Sequence, residues 1–255
     1  MWHNNMIIRQ VLFLALMYAT APSLLAQNIS RIVIDLEAGP VWQSRNNVQI
    51  PNTDAGTRFS LVDLAGKGPW PAVRLYLTWN ITNRHSFRAL LAPLAYTETG
   101  SFTSAVKFAG ESYAPGTPVD GTYKFNSWRL GYRYRLLNRE RFKLAIGLTA
   151  KIRDAKIELS QGSTSSKKTD IGFVPLAYIG TDWWFARKWH LLFDFEGLAG
   201  GPGRAFDIAL KPYYAINDHF GISAGYRTLE GGADVKSVYN FAWLHYALFS
   251  ATYRF

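Results

Sequence analysis

Residues 240–255 read NFAWLHYALFSATYRF, and their pattern decides the fold of the chain. Every second residue back from the end lies on one largely apolar face, which comprises Phe255, Tyr253, Ala251, Phe249, Ala247, His245 and Trp243. The other face carries polar side chains at Arg254, Thr252 and Ser250. A period of two is that of a β-strand, whose side chains point alternately to opposite sides. The stretch therefore predicts a strand whose aromatic side faces lipid or a protein core.

The composition favours a chain with a polar interior and an apolar exterior. Its 255 residues suffice for one all-β domain, such as a barrel or a sandwich. Aromatic residues make up 15% of the chain, yet the mean hydropathy is close to zero. A membrane protein made of helices would be more apolar, whereas half of each strand of a transmembrane barrel faces a polar lumen. The chain has no cysteine, which excludes disulfides, thiolate metal sites and a cysteine nucleophile.

The net charge of +10 raises the question of nucleic-acid binding. The Lys and Arg residues are, however, scattered singly along the alternating stretches and are not gathered into one patch. We therefore predict no nucleic-acid partner.

The first 26 residues have the organisation of a secretory signal peptide. Arg9 supplies the positive charge, residues 11–20 (VLFLALMYAT) form the apolar segment, and residues 24–26 offer a cleavage site before Gln27. The alternative is a membrane-anchor helix, which needs about 20 apolar residues, but Pro22 interrupts the run. We therefore predict a cleaved signal peptide at residues 1–26 and a mature domain at residues 27–255.

A strand, a short polar turn and a second strand recur along the chain. In the first case, residues 70–82 alternate between apolar and polar side chains, and the turn 82–86 follows. The other turns lie at 137–141, 186–188 and 217–219. One aromatic residue closes each descending strand and another opens the ascending strand: Trp79 and Phe87, Tyr134 and Phe142, Trp183 or Trp184 and Trp189, and Tyr214 and Phe220. Such pairs are typical of the interfacial aromatic girdle of a membrane barrel.

The other connections are longer and rich in Gly, Ser, Thr and Pro; they span 45–70, 100–119, 161–168, 200–204 and 231–237. The strands between the connections number ten, at about 31–43, 70–82, 86–99, 120–136, 142–159, 170–185, 189–199, 205–216, 219–230 and 240–255. Ten is even, as a barrel with both termini on one side requires. Pro93 and Pro175 fall inside predicted strands, where proline removes a ladder donor, so eight and twelve strands are the alternatives.

The mature chain resembles the small outer-membrane β-barrels of Gram-negative bacteria. The resemblance rests on the terminal strand with Tyr253 and Phe255, the signal peptide, the aromatic girdle, and the alternation of short turns with longer loops. It implies an antiparallel transmembrane β-barrel with short periplasmic turns and longer extracellular loops. It also implies contact with outer-membrane lipid and lipopolysaccharide, and recognition of Tyr253 and Phe255 by the barrel-assembly machinery. The girdle and the inward charges disfavour the alternative, a soluble secreted β-sandwich.

The same alternation sends charged side chains into the predicted lumen. The inward acids are Asp35, Glu37, Glu98, Asp182, Asp194, Glu196 and Asp207, and the inward bases are Arg74, Arg88, Arg129, Arg133, Lys143, Lys151, Arg153, Lys211 and Arg227. A barrel of about eight strands has an interior that side chains fill, and a charge buried there must be paired. We therefore predict a structural ion-pair network, with a narrow polar channel or a ligand pocket as the alternatives.

Histidine is scarce, and no two histidines have the spacing of metal ligands. His245 is predicted near the outer end of the last strand, and the preceding loop region holds Glu230 and Asp234. A carboxylate beside His245 would form a general-base pair, but Ser250 lies too far along the strand to be an obvious nucleophile. The favoured role of His245 is that of an amphipathic interfacial side chain. We therefore predict no catalytic, cofactor-binding or metal-binding residues.

These patterns say more about where the protein is located than about what it does there. The leading hypothesis is a non-enzymatic barrel whose charged lumen is largely filled by side chains, acting in envelope integrity, surface recognition or restricted small-solute passage. The alternative is an enzyme at the outer rim that acts on lipid A, phospholipid or peptide.

Overall fold

Alternating side chains form long antiparallel strands in the computed structural model, which describes residues 30–255. Consecutive strands pair with one another, and the last pairs with the first, so that ten strands close a barrel. The strand count therefore agrees with the sequence prediction. The predicted signal peptide, residues 1–26, lies outside the described residues. No helix among residues 30–255 is long and apolar enough to cross a membrane.

The elements in chain order are β1 (Ile32–Gln49), β2 (Phe59–Ser60), α1 (Leu61–Ala65), β3 (Trp70–Asn80), β4 (His85–Ala92), β5 (Ala95–Ser101), β6 (Val106–Phe108), β7 (Glu111–Tyr113), β8 (Pro118–Asn138), β9 (Phe142–Gln161), β10 (Thr164–Trp184), β11 (Trp189–Gly200), β12 (Gly203–Ala215), β13 (Phe220–Val235) and β14 (Val238–Arg254). The wall of the barrel runs β1, β3, β4 with β5, and then β8 to β14. The short β2 pairs with β1, and β6 pairs with β7 as a separate hairpin.

The terminal strand closes the barrel with its aromatic face outward. β14 pairs with β13 on one side and with β1 on the other. Phe249 is 65% exposed on the outer surface, whereas the neighbouring positions Ser250 and Thr252 are buried inside. The line along which β14 pairs with β1 is the seam that closes the barrel. At its end, the backbone N–H of Phe255 donates to the carbonyl oxygen of Ile32 at 3.0 Å. The predicted two-residue period of this stretch is confirmed.

The two prolines inside predicted strands have different effects. At Pro93 the third wall strand is interrupted between β4 and β5, and the side-chain oxygen of Asn126 accepts a hydrogen bond from the backbone N–H of Leu94 at 3.1 Å. Pro175 lies within a continuous β10, opposite Ala150 of β9. Neither proline removes a strand from the wall, which is why the count stays at ten.

The barrel has two unlike ends. The short-turn rim holds the connections after β3, β8, β10 and β12, each at the place that the sequence predicted. At the opposite end, the long-loop rim, only the connections after β1 and β5 are long. The other connections predicted to be long, at 161–168, 200–204 and 231–237, are tight turns, because the flanking strands continue almost to the turn. The predicted loop from residue 45 also begins later, since β1 continues to Gln49.

The outer surface is an apolar band that ends in aromatic side chains at the short-turn rim. Aliphatic side chains such as Leu148 and Ile171 are 70% and 77% exposed on the wall. The exposed aromatic residues of the rim are Trp79, Phe87, Tyr132, Trp183, Phe185, Trp189, Phe220 and Phe255. An apolar wall with an aromatic girdle is the surface of a barrel that lies in a bilayer.

The long-loop half of the barrel is filled by an apolar cap, formed by α1, the β6–β7 hairpin and the wall side chains that pack on them. Ser60 caps α1 by accepting a hydrogen bond from the N–H of Asp63 at 3.2 Å. Leu61 and Leu64 of α1 are buried inside the barrel. α1 approaches the wall so closely that a Cβ on Gly100 would lie 1.9 Å from the carbonyl oxygen of Leu64. The buried apolar residues of the cap include Val41, Val48, Ile50, Trp70, Tyr96, Phe102, Val106, Phe108, Tyr113, Val119, Tyr123, Ile157, Leu159 and Leu244.

Candidate functional site

The centre of the lumen is organised around the buried carboxylate of Asp207 on β12. Three guanidinium groups from three other strands converge on it. Arg74 of β3 lies at 3.0 Å and Arg129 of β8 at 2.7 Å from Oδ2, and Arg227 of β13 lies at 2.5 Å from Oδ1. All four side chains are no more than 4% exposed. Three cations around one carboxylate form a charge-assisted cluster that fixes the facing walls of the barrel to one another.

A second carboxylate, Glu37 of β1, balances the excess of positive charge. It is fully buried and contacts Lys211 Nζ at 2.5 Å, Arg227 Nη2 at 3.2 Å and Arg74 Nε at 3.8 Å. Lys211 also lies 3.6 Å from the carboxylate of Asp35. Each buried charge here therefore has at least one opposite charge beside it, as burial requires.

The network continues towards the short-turn rim through two further carboxylates. Glu196 contacts the guanidinium of Arg129 and lies 3.5 Å from that of Arg133. Asp194 lies 3.3 Å from Arg88 and 3.8 Å from Arg133. Arg129 thus joins the Asp207 cluster to Glu196, and Arg133 joins Glu196 to Asp194.

These contacts define the lumen network: Asp35, Glu37, Asp194, Glu196 and Asp207 with Arg74, Arg88, Arg129, Arg133, Lys211 and Arg227. All of its members were predicted to point inward. Two phenols that the sequence analysis did not assign to it also take part. Tyr76 accepts hydrogen bonds from Arg74 at 3.0 Å and from Arg227 at 2.9 Å, and Tyr178 donates to Asp194 at 2.8 Å.

The lumen network leaves little free space. The void between Arg74, Arg88, Asp194 and Arg227 offers a volume of about 10 Å³ to the centre of a water molecule, which is room for about one water. Above it, the apolar cap fills the long-loop half of the barrel. Two layers of side chains therefore lie across the described lumen, first the paired charges and then the apolar core.

The remaining predicted inward charges lie outside the lumen network. The carboxylate of Glu98 accepts a hydrogen bond from Trp70 Nε1 at 2.7 Å, at the cap. Asp182 contacts His190 Nδ1 at 2.5 Å near the short-turn rim. Lys143 lies over the ring of Trp184, Lys151 lies over the ring of Phe125, and Arg153 pairs with Asp170. These side chains make separate local contacts and are not joined to the lumen network by ion pairs.

The structure does not form the pairing of His245 with Glu230 or Asp234 that the sequence left open as the less favoured possibility. Glu230 binds the guanidinium groups of Arg45 and Arg204, and Asp234 accepts a hydrogen bond from Asn52 at 2.7 Å. Both carboxylates lie farther along the wall towards the long-loop rim, since β13 continues to Val235 where a loop was predicted. Ser250 is buried on the inner side of β14, away from the outward face of His245.

His245 instead lies in a cluster on the outer wall that the sequence analysis missed. Its Nε2 is 2.7 Å from Ser44 Oγ of β1, and its Nδ1 is 2.5 Å from the hydroxyl of Tyr226 of β13. The indole rings of Trp42 and Trp243 also stack against it, with centroids 6.1 and 5.5 Å from that of His245. We call Trp42, Ser44, Tyr226, Trp243 and His245 the outer-wall cluster. It spans β13, β14 and β1 across the seam that closes the barrel.

Within residues 30–255, no group of three or more His, Asp or Glu side chains is arranged to hold a metal ion.

No family model and no curated protein matches the chain by sequence. By structure, it is similar to the outer membrane protease OmpT from Escherichia coli, with a TM-score of 0.55 and 10% identity over 88% of this chain and 96% of that one. Other similar structures are the translocator domain of the autotransporter NalP from Neisseria meningitidis (TM-score 0.46, 10% identity, 98% of each chain) and Neisserial surface protein A (TM-score 0.38, 14% identity, 88% and 97%).

These likenesses concern the fold alone. The chain has the closed, antiparallel ten-strand barrel of the Gram-negative outer-membrane β-barrel proteins, which confirms the resemblance drawn from its sequence.

Proposed function

We propose that the protein is an integral outer-membrane barrel that does not conduct solutes and that acts through its outer surface, in envelope integrity or surface recognition. The observation that carries this proposal is the double closure of the lumen, by the lumen network in the short-turn half and by the apolar cap in the long-loop half. A permanently open channel would need a continuous polar path, and the cap does not offer one.

The outer surface supports the location. An apolar wall bounded by aromatic side chains is stable in a bilayer and costly in water. The short turns then face the periplasm and the long-loop rim faces outward, in contact with outer-membrane lipid and lipopolysaccharide. Tyr253 is half-buried and Phe255 is exposed at the end of the seam, and their ring centroids lie 4.6 Å apart. These are the residues that the barrel-assembly machinery would recognise.

Restricted passage of small solutes, another role that the sequence left open, requires movement of the cap. Phe108, Tyr113 and Leu61 of the cap are at most 1% exposed, and Tyr113 donates a hydrogen bond to the carbonyl oxygen of Leu159 on the wall at 2.9 Å. A solute would have to displace this packed core.

The alternative of an enzyme at the outer rim is favoured by one specific contact, that of Ser44 with His245.

Two measurements test the proposal. In cell fractionation, the mature chain should be found in the outer membrane, with heat-modifiable migration on gels. In a liposome-swelling assay, vesicles with the refolded protein should swell in small sugars and amino acids no faster than protein-free vesicles, while a general porin serves as the positive control. Recovery from the soluble periplasm would contradict the location, and size-dependent swelling would contradict the closed lumen.

A further inference from the structure

The outer-wall cluster depends on a β-bulge in β1. The register of β1 on β14 shifts between Gln43 and Arg45, so that Ser44 has no partner of its own in the ladder. Gln43 and Asn46 both point inward and are fully buried, which leaves Ser44 and Arg45 together on the outer side. A bulge of this kind re-aims side chains and is common next to active sites. Here it brings a serine hydroxyl to the ring of His245.

The contacts of His245 are arranged like those of a histidine that activates a serine nucleophile. Ser44 Oγ lies 2.7 Å from Nε2, within reach of proton transfer, and the hydroxyl oxygen of Tyr226 lies 2.5 Å from Nδ1. When Nδ1–H donates to Tyr226, Nε2 is left as the acceptor for the Ser44 hydroxyl. A nucleophile, a base within hydrogen-bond reach and a third group that orients the base are the signature of nucleophilic catalysis.

We propose that Ser44 and His245 form a hydrolytic site on the outer wall, with the carboxylic ester of a membrane lipid as substrate. Ser44 is the nucleophile, His245 is the general base, and Tyr226 is a positioning residue. The inference rests on the proposed outer-membrane location, because it requires lipid beside this wall.

The reaction balances with water as its only co-reactant. Ser44 Oγ bonds to the ester carbonyl carbon while its proton passes to His245 Nε2. The bond from that carbon to the lipid alcohol oxygen then breaks, and the alcohol takes the proton from Nε2. Water next adds to the acylated Ser44 and gives a proton to Nε2, after which the bond to Oγ breaks. Oγ regains the proton, and a fatty acid is released.

The height of the cluster on the barrel agrees with an ester substrate. His245 and Phe255 are ten positions apart in the sequence, which corresponds to roughly 34 Å along a strand. With the usual strand tilt, this is about 25 Å along the barrel axis, which is the height of the apolar band of such barrels. Because Phe255 marks the short-turn rim, His245 lies at the opposite interface, where acyl chains of the outer leaflet meet their head groups.

Positive charge stands directly above the cluster. Arg45, next to Ser44 in the bulge, lies with its guanidinium 5.7 Å from the ring centroid of Trp243, and it shares Glu230 with Arg204. Two guanidinium groups on one carboxylate leave a net positive charge at the head-group level. That charge suits a lipid that carries a phosphate near its ester, a chemistry common to glycerophospholipids and lipid A. The flanking rings of Trp42 and Trp243 offer an apolar surface to the acyl chain.

The activity test uses the full mature chain refolded into vesicles, with released fatty acid measured by mass spectrometry. Three kinds of vesicle are compared: one contains phosphatidylethanolamine, one contains lipid A, and one contains neutral diacylglycerol. In the lipid A vesicles, the surrounding phospholipid carries different acyl chains, so that it cannot release the fatty acids of lipid A. Ser44→Ala and His245→Asn should each lower release by at least about 100-fold, the lower bound for loss of acid–base assistance. Tyr226→Phe should lower kcat and leave KM unchanged, while Arg45→Met should raise KM for the phosphate-bearing lipids only. Ser165→Ala, an exposed serine near the long-loop rim, is the matched control and should retain full activity.

A covalent readout complements activity. A fluorophosphonate should label the wild-type protein on Ser44, identified by peptide mass spectrometry, and labelling should be lost in His245→Asn. Heat-modifiable migration shows that each variant is folded. An inserted, folded wild-type barrel that releases no fatty acid and is not labelled on Ser44 would overturn the hydrolytic site and leave the closed barrel standing. A protein that does not insert into vesicles would instead overturn the location on which both proposals depend.

Discussion

Replacing Arg129 with methionine tests the role of the lumen network in holding the barrel together. The Arg129 side chain is 2% exposed, lies 2.7 Å from Asp207 and contacts Glu196, so it joins two carboxylates on neighbouring strands. Its removal leaves Glu196 with Arg133, at 3.5 Å, as its remaining cation within ion-pair distance. Breaking a buried ion pair by removing one partner costs about 3–5 kcal/mol, and we expect Arg129→Met to lower the free energy of unfolding by that amount.

Two other arginines provide the comparison. Arg133 contacts its carboxylates at 3.5 and 3.8 Å, and Arg88 and Arg129 continue to neutralise them when Arg133 is replaced. Arg133→Met should therefore have a smaller effect than Arg129→Met. Arg187→Met changes an exposed residue of a short turn and should stay within about 0.5 kcal/mol of the wild type.

The assay is guanidinium-induced unfolding of protein refolded in phospholipid vesicles, followed by tryptophan fluorescence. Arg129→Met should be the most destabilised variant, Arg133→Met should be intermediate, and Arg187→Met should be the least destabilised. Equal midpoints for all three variants would show instead that the lumen is hydrated and that its charges are not desolvated.

Two further predictions concern the seam and the cap. Phe255→Ala should reduce the amount of assembled barrel in the outer membrane far more than Phe185→Ala. Phe185 is a matched control, because Phe255 and Phe185 are 60% and 51% exposed at the same rim. Equal assembly of the two variants on heat-modifiability gels would show that the terminal aromatic has no special role. Phe108→Ala, in the cap, should lower the free energy of unfolding by about 3–5 kcal/mol in the same denaturant titration. Phe173 is 65% exposed on the outer wall, so Phe173→Ala should have a smaller effect. The reverse order would mean that the cap does not pack as a core.

The wall and the lumen network were predictable because both follow from a period of two. Once one residue of a strand is placed, alternation assigns every other residue to the outer or inner side. Glu37, Arg129 and Asp207 were placed inward in this way, although they are far apart in the sequence. Which cation pairs with which carboxylate depends on the shear of the closed barrel, and alternation does not contain that information.

The cap was missed because its apolar residues are spaced irregularly in segments rich in Gly and Pro. One local signal was available. Ser60 is followed by Asp63, with Leu61, Leu64 and Ala65 at helical spacing, which is the pattern of a capped amphipathic turn. A turn so short is hard to distinguish from a loop by its sequence, and the sequence does not show that it folds back into the barrel.

The outer-wall cluster was missed for a different reason. The predicted strand ends at residue 43, so Ser44 falls outside the alternating pattern, and alternation does not reveal the bulge that places Ser44 and Arg45 on the same side. The sequence therefore offers only Glu230 and Asp234, which precede His245 closely in the chain, as partners for it. Ser44 lies some two hundred residues away in the sequence and meets His245 only because β14 closes against β1.

Single-channel recording of the refolded wild-type protein in planar bilayers tests the closed lumen most directly. The paired charges around Asp207 and the apolar cap predict a bilayer without defined conductance steps at physiological voltages, even when gel analysis shows that folded barrel has inserted. Reproducible, stable open-channel steps from the folded wild-type protein would show that ions cross the lumen and that the lumen network and the apolar cap do not close it.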